Sequence, residues 1–223
     1  GSGRGELRWR DEVIVARDDL RLPGDHNVEN ALAAIAAIKC WNRSREAARH
    51  PEQIVSDEQI RKALRAFSAV PHRLELVREL EGVRYINDTT STAPDSTIAA
   101  LKTLGENLIL IAGGADKALN FDAVGRHIAI RAKAVLLFQG EGSTRLEWAI
   151  RYAGGGPKIV AEKIGSMNEA VGLAHGMAQS GDIVLLSPAC ASFGLFKNEF
   201  ERGEAFRAAV NDLVIVGLRR LVG

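Results

Sequence analysis

The sequence holds little that would announce a chemistry by itself. It has two cysteines, Cys40 and Cys190, far apart and outside any Cys-x-x-Cys or Cys/His spacing. That excludes a cysteine-built metal site and gives no disulfide framework, so a reduced, cytoplasmic setting is expected. No apolar run approaches the roughly 20 residues that span a bilayer, and no basic-then-apolar leader opens the chain. Membrane insertion is therefore not expected. A net charge of +1, with 26% charged and 46% apolar residues, gives neither a basic face for a polyanion nor the composition of a disordered chain. Nucleic acid is not an expected partner. No Gly-x-x-x-x-Gly-Lys-Ser/Thr phosphate loop occurs, and no repeat or low-complexity segment interrupts the chain. Gly1-Ser2-Gly3 reads as an added leader, with the natural chain expected to be longer.

What is present falls into two parts. Residues 6–10 and 12–16 read as a short hairpin or edge pair. Polar Asp25-His26-Asn27 then precede an alanine-rich helix expected to end near Lys39. Ser56, with Gln59 three residues on, opens a second helix through a capping box. Pro71 marks a boundary, which predicts domains at 1–70 and 71–223. After it, β-rich runs at 83–87, 108–112, 134–138, 158–160 and 183–186 alternate with helical patterns at 94–103, 122–131, 144–153, 167–179 and 199–213. This alternation predicts an α/β fold, a Rossmann-like, mostly parallel sheet flanked by helices. Right-handed crossovers place the turns NDTTSTA, GGADKAL, GEGST and SPACAS along one edge of that sheet, where open α/β sheets keep their ligands.

Candidate chemistry gathers in those turns and ahead of them. Asn27 and Asn30 carry carboxamides one helical turn apart, each both a donor and an acceptor, as a purine edge requires. An ordinary capped helix start fits the same residues. Arg73 is a forked, permanent cation suited to phosphate, and Asp88, at a strand end, is suited to ribose hydroxyls. A surface charge and a turn-former are the plainer readings of that pair. Thr92 offers a hydroxyl, while Lys117 follows two glycines that permit close backbone approach. Gly140-Glu141-Gly142, with Glu162 further on, has part of a dinucleotide fingerprint, but Arg145 stands where the third glycine belongs. No histidine or acid lies near enough in sequence to make Ser187, Cys190 or Ser192 a nucleophile.

Leu-Pro-Gly-x-His-Asn-x-x-Asn-Ala-Leu-Ala-Ala from Leu22, and SPACASF…FKN…ERG from Ser187 to Gly203, resemble motifs of the Mur ligase family. The likeness lies in the branch that adds D-glutamate to UDP-N-acetylmuramoyl-L-alanine in peptidoglycan synthesis. The resemblance implies that Asn27, Asn30, Arg73 and Asp88 serve ATP, with Asn30 at the adenine. It assigns Thr92, Lys117, Ser192 and Phe193 to glutamate. It further implies an ATP- and Mg²⁺-dependent ligase whose partners are UDP-N-acetylmuramoyl-L-alanine, glutamate, ATP and the missing N-terminal and central domains of the same protein. Residues 1–70 would be the end of the ATPase domain and 71–223 the glutamate-binding domain. Such a piece holds no catalytic residue or metal site of its own and is expected to be inactive alone. Two positions depart from the pattern: Thr90 replaces a lysine, and Glu199 stands where relatives often place an aromatic, with Phe200 following. The alternatives are a dinucleotide-binding oxidoreductase domain and a noncatalytic nucleotide-binding module.

Overall fold

The computed structural model describes residues 5–21, 25–67, 70–154 and 158–214. The chain divides into two compact units, Gly1–Ala69 and Val70–Gly223.

In the first unit, β1 (Glu6–Trp9) and β2 (Glu12–Ala16) form an antiparallel hairpin, followed by helices α1 (Asp25–Ala47) and α2 (Asp57–Ala66). The capping box forms: Ser56 Oγ accepts from the Gln59 amide and Gln59 Oε1 from the Ser56 amide. Leu7, Ile14, Val15, Ala31, Ile35 and Ile60 make the core. Helix α1 continues to Ala47, two turns past the Lys39 end that apolar periodicity predicts. The extension is held by tertiary partners: Asn42 Nδ2 donates to Val55 O at 2.7 Å, the Val55 amide returns a bond of 2.9 Å, and Lys39 pairs with Asp57 at 2.6 Å.

The second unit is a six-stranded sheet, β3 (Glu75–Leu80), β4 (Val83–Asn87), β5 (Leu108–Ala112), β6 (Ala132–Phe138), β7 (Lys158–Ile164) and β8 (Ile183–Leu186). The strands lie in the order β3-β4-β8-β5-β6-β7, all parallel except β3. The chain steps from β4 to β7 through α3 (Pro94–Leu104), α4 (Asp122–Arg131) and α5 (Glu141–Tyr152). It returns through α6 (Met167–Met177) to insert β8 between β4 and β5, and ends with α7 (Glu199–Asn211). Both faces of the sheet are covered, which is why its inner strands read as unbroken apolar runs. Leu108, Leu110, Val135, Leu137 and Leu185 pack with α3, α4 and α5, while Ile109, Ile111, Leu136, Val184 and Leu186 pack with α6 and α7.

Strand β3 and the start of α5 also differ from expectation. Strand β3 had no alternating pattern to reveal it. It owes its place to pairing with β4 and to Arg78, whose Nη1 donates to the carbonyls of Val210 and Asn211 in the last turn of α7 and of Leu213 just past it. Helix α5 begins at Glu141 instead of Thr144, because Gly142 and Ser143 are buried beneath the turn that follows β5.

Candidate functional site

Parallel pairing carries the turns after β4, β5, β6 and β8 to one edge, and backbone hydrogen bonds then join them. The Gly113 amide donates to Pro188 O at 2.9 Å and the Ala189 amide to Ser91 O at 2.9 Å. Ala115 and Ala191 exchange amide-to-carbonyl bonds of 3.0 and 3.2 Å, a short antiparallel bridge between the turns that carry Lys117 and Ser192. Small residues are required here. A Cβ on Gly114, whose φ is +139°, would lie 2.2 Å from Ala191 O.

Lys117 is exposed, and its Nζ donates to Thr92 Oγ1 at 3.2 Å, so residues from the turns after β5 and β4 meet. Ser192, buried beside the Ala115–Ala191 bridge, belongs to the third turn. Phe193 is 66% exposed and lines a cleft of about 450 Å³ with Ala115, Asp116, Gln139, Gly140, Glu141, Gly194 and Leu195. Thr90, in place of the family lysine, spends its hydroxyl on His72 O at 3.0 Å.

Arg73 reaches the surface because its neighbours are tied down. His72 is buried with φ +67°, and its amide donates to Glu75 Oε2 at 2.9 Å. Asn87 Nδ2 donates to His72 Nδ1 at 3.1 Å, which leaves the proton on Nε2, 3.1 Å from Glu204 Oε1. Arg207 binds Glu75 Oε1 through two nitrogens, at 2.6 and 3.0 Å. Phe200 packs edge-on against the His72 ring at 5.8 Å.

Asp88 lies inside, 2% exposed. Its carboxylate accepts from Ser187 Oγ at 2.8 Å and from the Leu74 amide at 3.2 Å. Burial pushes its pKa up to about 6, against the hydrogen bonds and the nearby Arg73 charge that pull it down. The folded protein thus holds this proton more tightly than the unfolded chain, so the carboxylate costs stability as pH rises from about 4, and the cost is complete above about 6. A displacement from 3.8 to about 6 corresponds to roughly 3 kcal/mol. About 1 kcal/mol of that cost is already present at pH 4.5, so Asp88→Asn is expected to gain about 2 kcal/mol relative to the wild type between pH 4.5 and pH 8. Denaturant unfolding of the second unit at the two pH values measures it, and an equal difference at both removes Asp88 as the titrating group.

The two amides of the first unit separate. Asn27 is buried within α1 and Asn30, one turn on, is exposed. The incomplete dinucleotide fingerprint is used for packing: a Cβ on Gly140 would lie 2.3 Å from Gly114 O, and one on Gly142 would lie 2.9 Å from Ala115 O. The start of α5 is thus occupied by the Gly113–Ala115 turn. Placement of the Glu162 side chain lies outside the described residues. Among the described residues, no group of three or more His, Cys, Asp or Glu is placed to hold a metal ion, and no helix is long and apolar enough to cross a membrane. Cys190 is buried and its thiol is pushed up to about 12, leaving it a packing residue.

One residue central to this edge was assigned no role from sequence. Arg202 of α7 is 1% exposed, and its Nε donates to Thr89 Oγ1 at 2.9 Å, Nη2 to Thr89 O at 2.9 Å and Nη1 to Cys190 O at 3.3 Å. It clamps the turn after β4 to the turn after β8. Burial lowers its pKa to about 10, so it remains a cation at neutral pH. In sequence it is one of several charges on a helix, and only its place in the tripeptide Glu201-Arg202-Gly203 of the quoted motif sets it apart.

The family described as Mur ligase, glutamate ligase domain, matches residues 72–190. The chain is similar to the UDP-N-acetylmuramoylalanine–D-glutamate ligase of Roseiflexus sp. (strain RS-1), 48% identical over 92% of this chain and 42% of the relative. It is also similar to the ligase of the same name from Pelotomaculum thermopropionicum, 43% identical over 93% of this chain and 42% of that protein. The chain thus spans about two fifths of the length of these curated relatives. Among solved structures, it shares its fold with Mycobacterium tuberculosis folylpolyglutamate synthase complexed with ADP, with a TM-score of 0.58 and 16% identity over 87% of this chain and 42% of that one.

Proposed function

The chain belongs to the Mur ligase family through its glutamate ligase domain, and from that premise we propose that it is the glutamate-binding part of an ATP-dependent ligase that joins D-glutamate to UDP-N-acetylmuramoyl-L-alanine. In that reaction the alanine carboxylate takes the γ-phosphoryl group of ATP, releasing ADP. The glutamate amine then attacks the acyl carbon, an amide forms, and inorganic phosphate leaves with a proton lost from nitrogen. The second unit is the glutamate-binding domain in this reading, and the first unit is the end of the central ATPase domain. The remaining length of the relatives would supply the phosphoryl-transfer site. A Mg²⁺ ion, which would neutralise phosphate charge when bound, has no ligand set among the described residues and is assigned to that other part.

The observation that supports this reading most is the junction of three turns. Lys117 bonds Thr92, and the Lys117 turn is bridged to the turn of Ser192. An ammonium and two hydroxyls from separate strands suit a dicarboxylate better than a neutral ligand, because each charge-assisted bond is worth about 1.5–3 kcal/mol. Phe193 walls the adjacent cleft. For the nucleotide we assign, in the second unit, Arg73 to phosphate and Asp88 to the ribose; in the first unit, Asn27 and Asn30 are assigned to ATP, with Asn30 contacting the adenine. The ADP bound by the folylpolyglutamate synthase of the same fold supports a nucleotide in this reading.

In the complete ligase, Lys117→Ala is expected to raise the KM for D-glutamate about tenfold or more while the KM for ATP stays within about twofold. Steady-state kinetics with D- and L-glutamate test this. An unchanged glutamate KM, or a shift confined to ATP, removes the carboxylate from Lys117.

A further inference from the structure

The segment Gly140-Glu141-Gly142-Ser143-Thr144-Arg145 binds no cofactor in this reading, yet several of its residues address one neighbour, the turn that carries Lys117. Gly140 and Gly142 admit the carbonyls of Gly114 and Ala115, and Ser143 Oγ accepts from the Gly114 amide at 2.9 Å. Arg145 reaches further along the same turn. Its Nη1 donates to Asp116 Oδ2 at 2.6 Å and its Nη2 to Leu119 O at 3.0 Å, while its guanidinium lies 5.5 Å from the Phe121 ring centroid. The other oxygen, Asp116 Oδ1, accepts from the Ala118 amide at 2.9 Å. Both oxygens of Asp116 are therefore engaged, and the hydrogen bond from Arg145 is the first cause holding its pKa below the ordinary carboxylate value.

Lys117 is the next residue in the chain, and its ammonium goes to Thr92. An Asp116 carboxylate without a partner would act against this arrangement in two ways. It would compete for the Lys117 ammonium, and it would repel a dicarboxylate arriving at the same edge. Glu141 lines the adjoining cleft with Asp116, so the cleft already carries a second acid. Arg145 counters the acid nearer in sequence to the lysine.

We propose that Arg145 is a positioning residue for the glutamate site: by taking up Asp116 it leaves the Lys117 ammonium to the substrate carboxylate. The inference rests on the assignment of Lys117 to glutamate, and its test separates the two. In the 223-residue chain, the side-chain ammonium signals of Lys117 are followed by NMR through the titration of Asp116, and D-glutamate binding is measured by the shifts of the Thr92, Lys117 and Ser192 amides. In Arg145→Gln the Lys117 signals are expected to move with the Asp116 titration, and D-glutamate to bind about tenfold more weakly. Adding Asp116→Asn to the same chain should reverse both effects, and Arg145→Lys, which keeps the charge, should stay near wild type. A tether that merely held the turn would be as broken in the double variant as in Arg145→Gln. Failure of the double variant to recover therefore overturns the proposal, as does an Arg145→Gln chain that titrates and binds like the wild type. If the unaltered chain takes up no glutamate while the Lys117 signals respond as stated, the glutamate assignment fails and the charge masking stands.

Discussion

Replacing Arg202 with alanine is expected to lower the stability of the second unit by about 3–5 kcal/mol, a fall of about 10 °C in Tm for a unit of this size. The guanidinium is fully buried, so truncation leaves a cavity. It also strands Thr89 O, Thr89 Oγ1 and Cys190 O, which lose the donors that reach them from α7. Thr89 Oγ1 also donates to Glu199 O at 2.9 Å, so the start of α7 loosens with it. Lysine should not rescue the loss, because a single ammonium cannot serve acceptors on two turns as a planar fork does. Both ligand sides should suffer in the complete ligase, since the clamp joins the turn carrying Asp88 and Thr92 to the turn carrying Ser192. Calorimetry on the chain tests the stability effect, and a Tm within 2 °C of wild type would show that Arg202 is not the clamp its geometry describes.

Gly114→Ala is expected to be nearly as damaging, at about 2–4 kcal/mol, although it adds a single carbon. The backbone there has φ +139°, and the new Cβ would sit 2.2 Å from Ala191 O, a backbone atom held by its own bond to the Ala115 amide. Nothing flexible is available to give way, so the bridge between Ala115 and Ala191 must open. Lys117 and Ser192 then lose their common frame, and glutamate binding should weaken with stability. Gly172→Ala on α6 is the control, because its added carbon meets nothing within 4 Å and alanine favours a helix interior by about 1 kcal/mol. Hydrogen exchange at the Ala115 and Ala191 amides distinguishes the two cases. Protection retained at both amides in Gly114→Ala would mean that the turn absorbs the carbon elsewhere.

Acidic pH isolates a different part of the same edge. The Asp88 carboxylate is internal and its burden on stability builds as pH rises from about 4 to about 6, whereas the Arg202 clamp stays charged throughout that range. A comparison of the two variants across pH therefore separates a titrating group from a fixed one.

The sequence by itself determined the alternation of apolar runs and helical stretches, and with it the mostly parallel sheet and the edge to which its turns must go. Each inner strand is covered on both faces, so the same residues that form the core also mark the strand, and short-range pattern suffices. It determined the capping box at Ser56, whose partners are three residues apart. Only the tertiary structure decided where β8 lies, because its position between β4 and β5 follows from the return of the chain across the opposite face of the sheet. It alone decided that β3 is a strand, that α1 continues past Lys39, and that Gly140 and Gly142 face carbonyls. Each of these depends on a partner distant in the chain: α7 for β3, Val55 for Asn42, and the Gly113–Ala115 turn for α5. The same holds for Arg202 and Asp88. A charge on a helix and an acid in a turn look solvated in sequence, since burial and hydrogen-bond partners supplied by another strand leave no local trace in the residues around them.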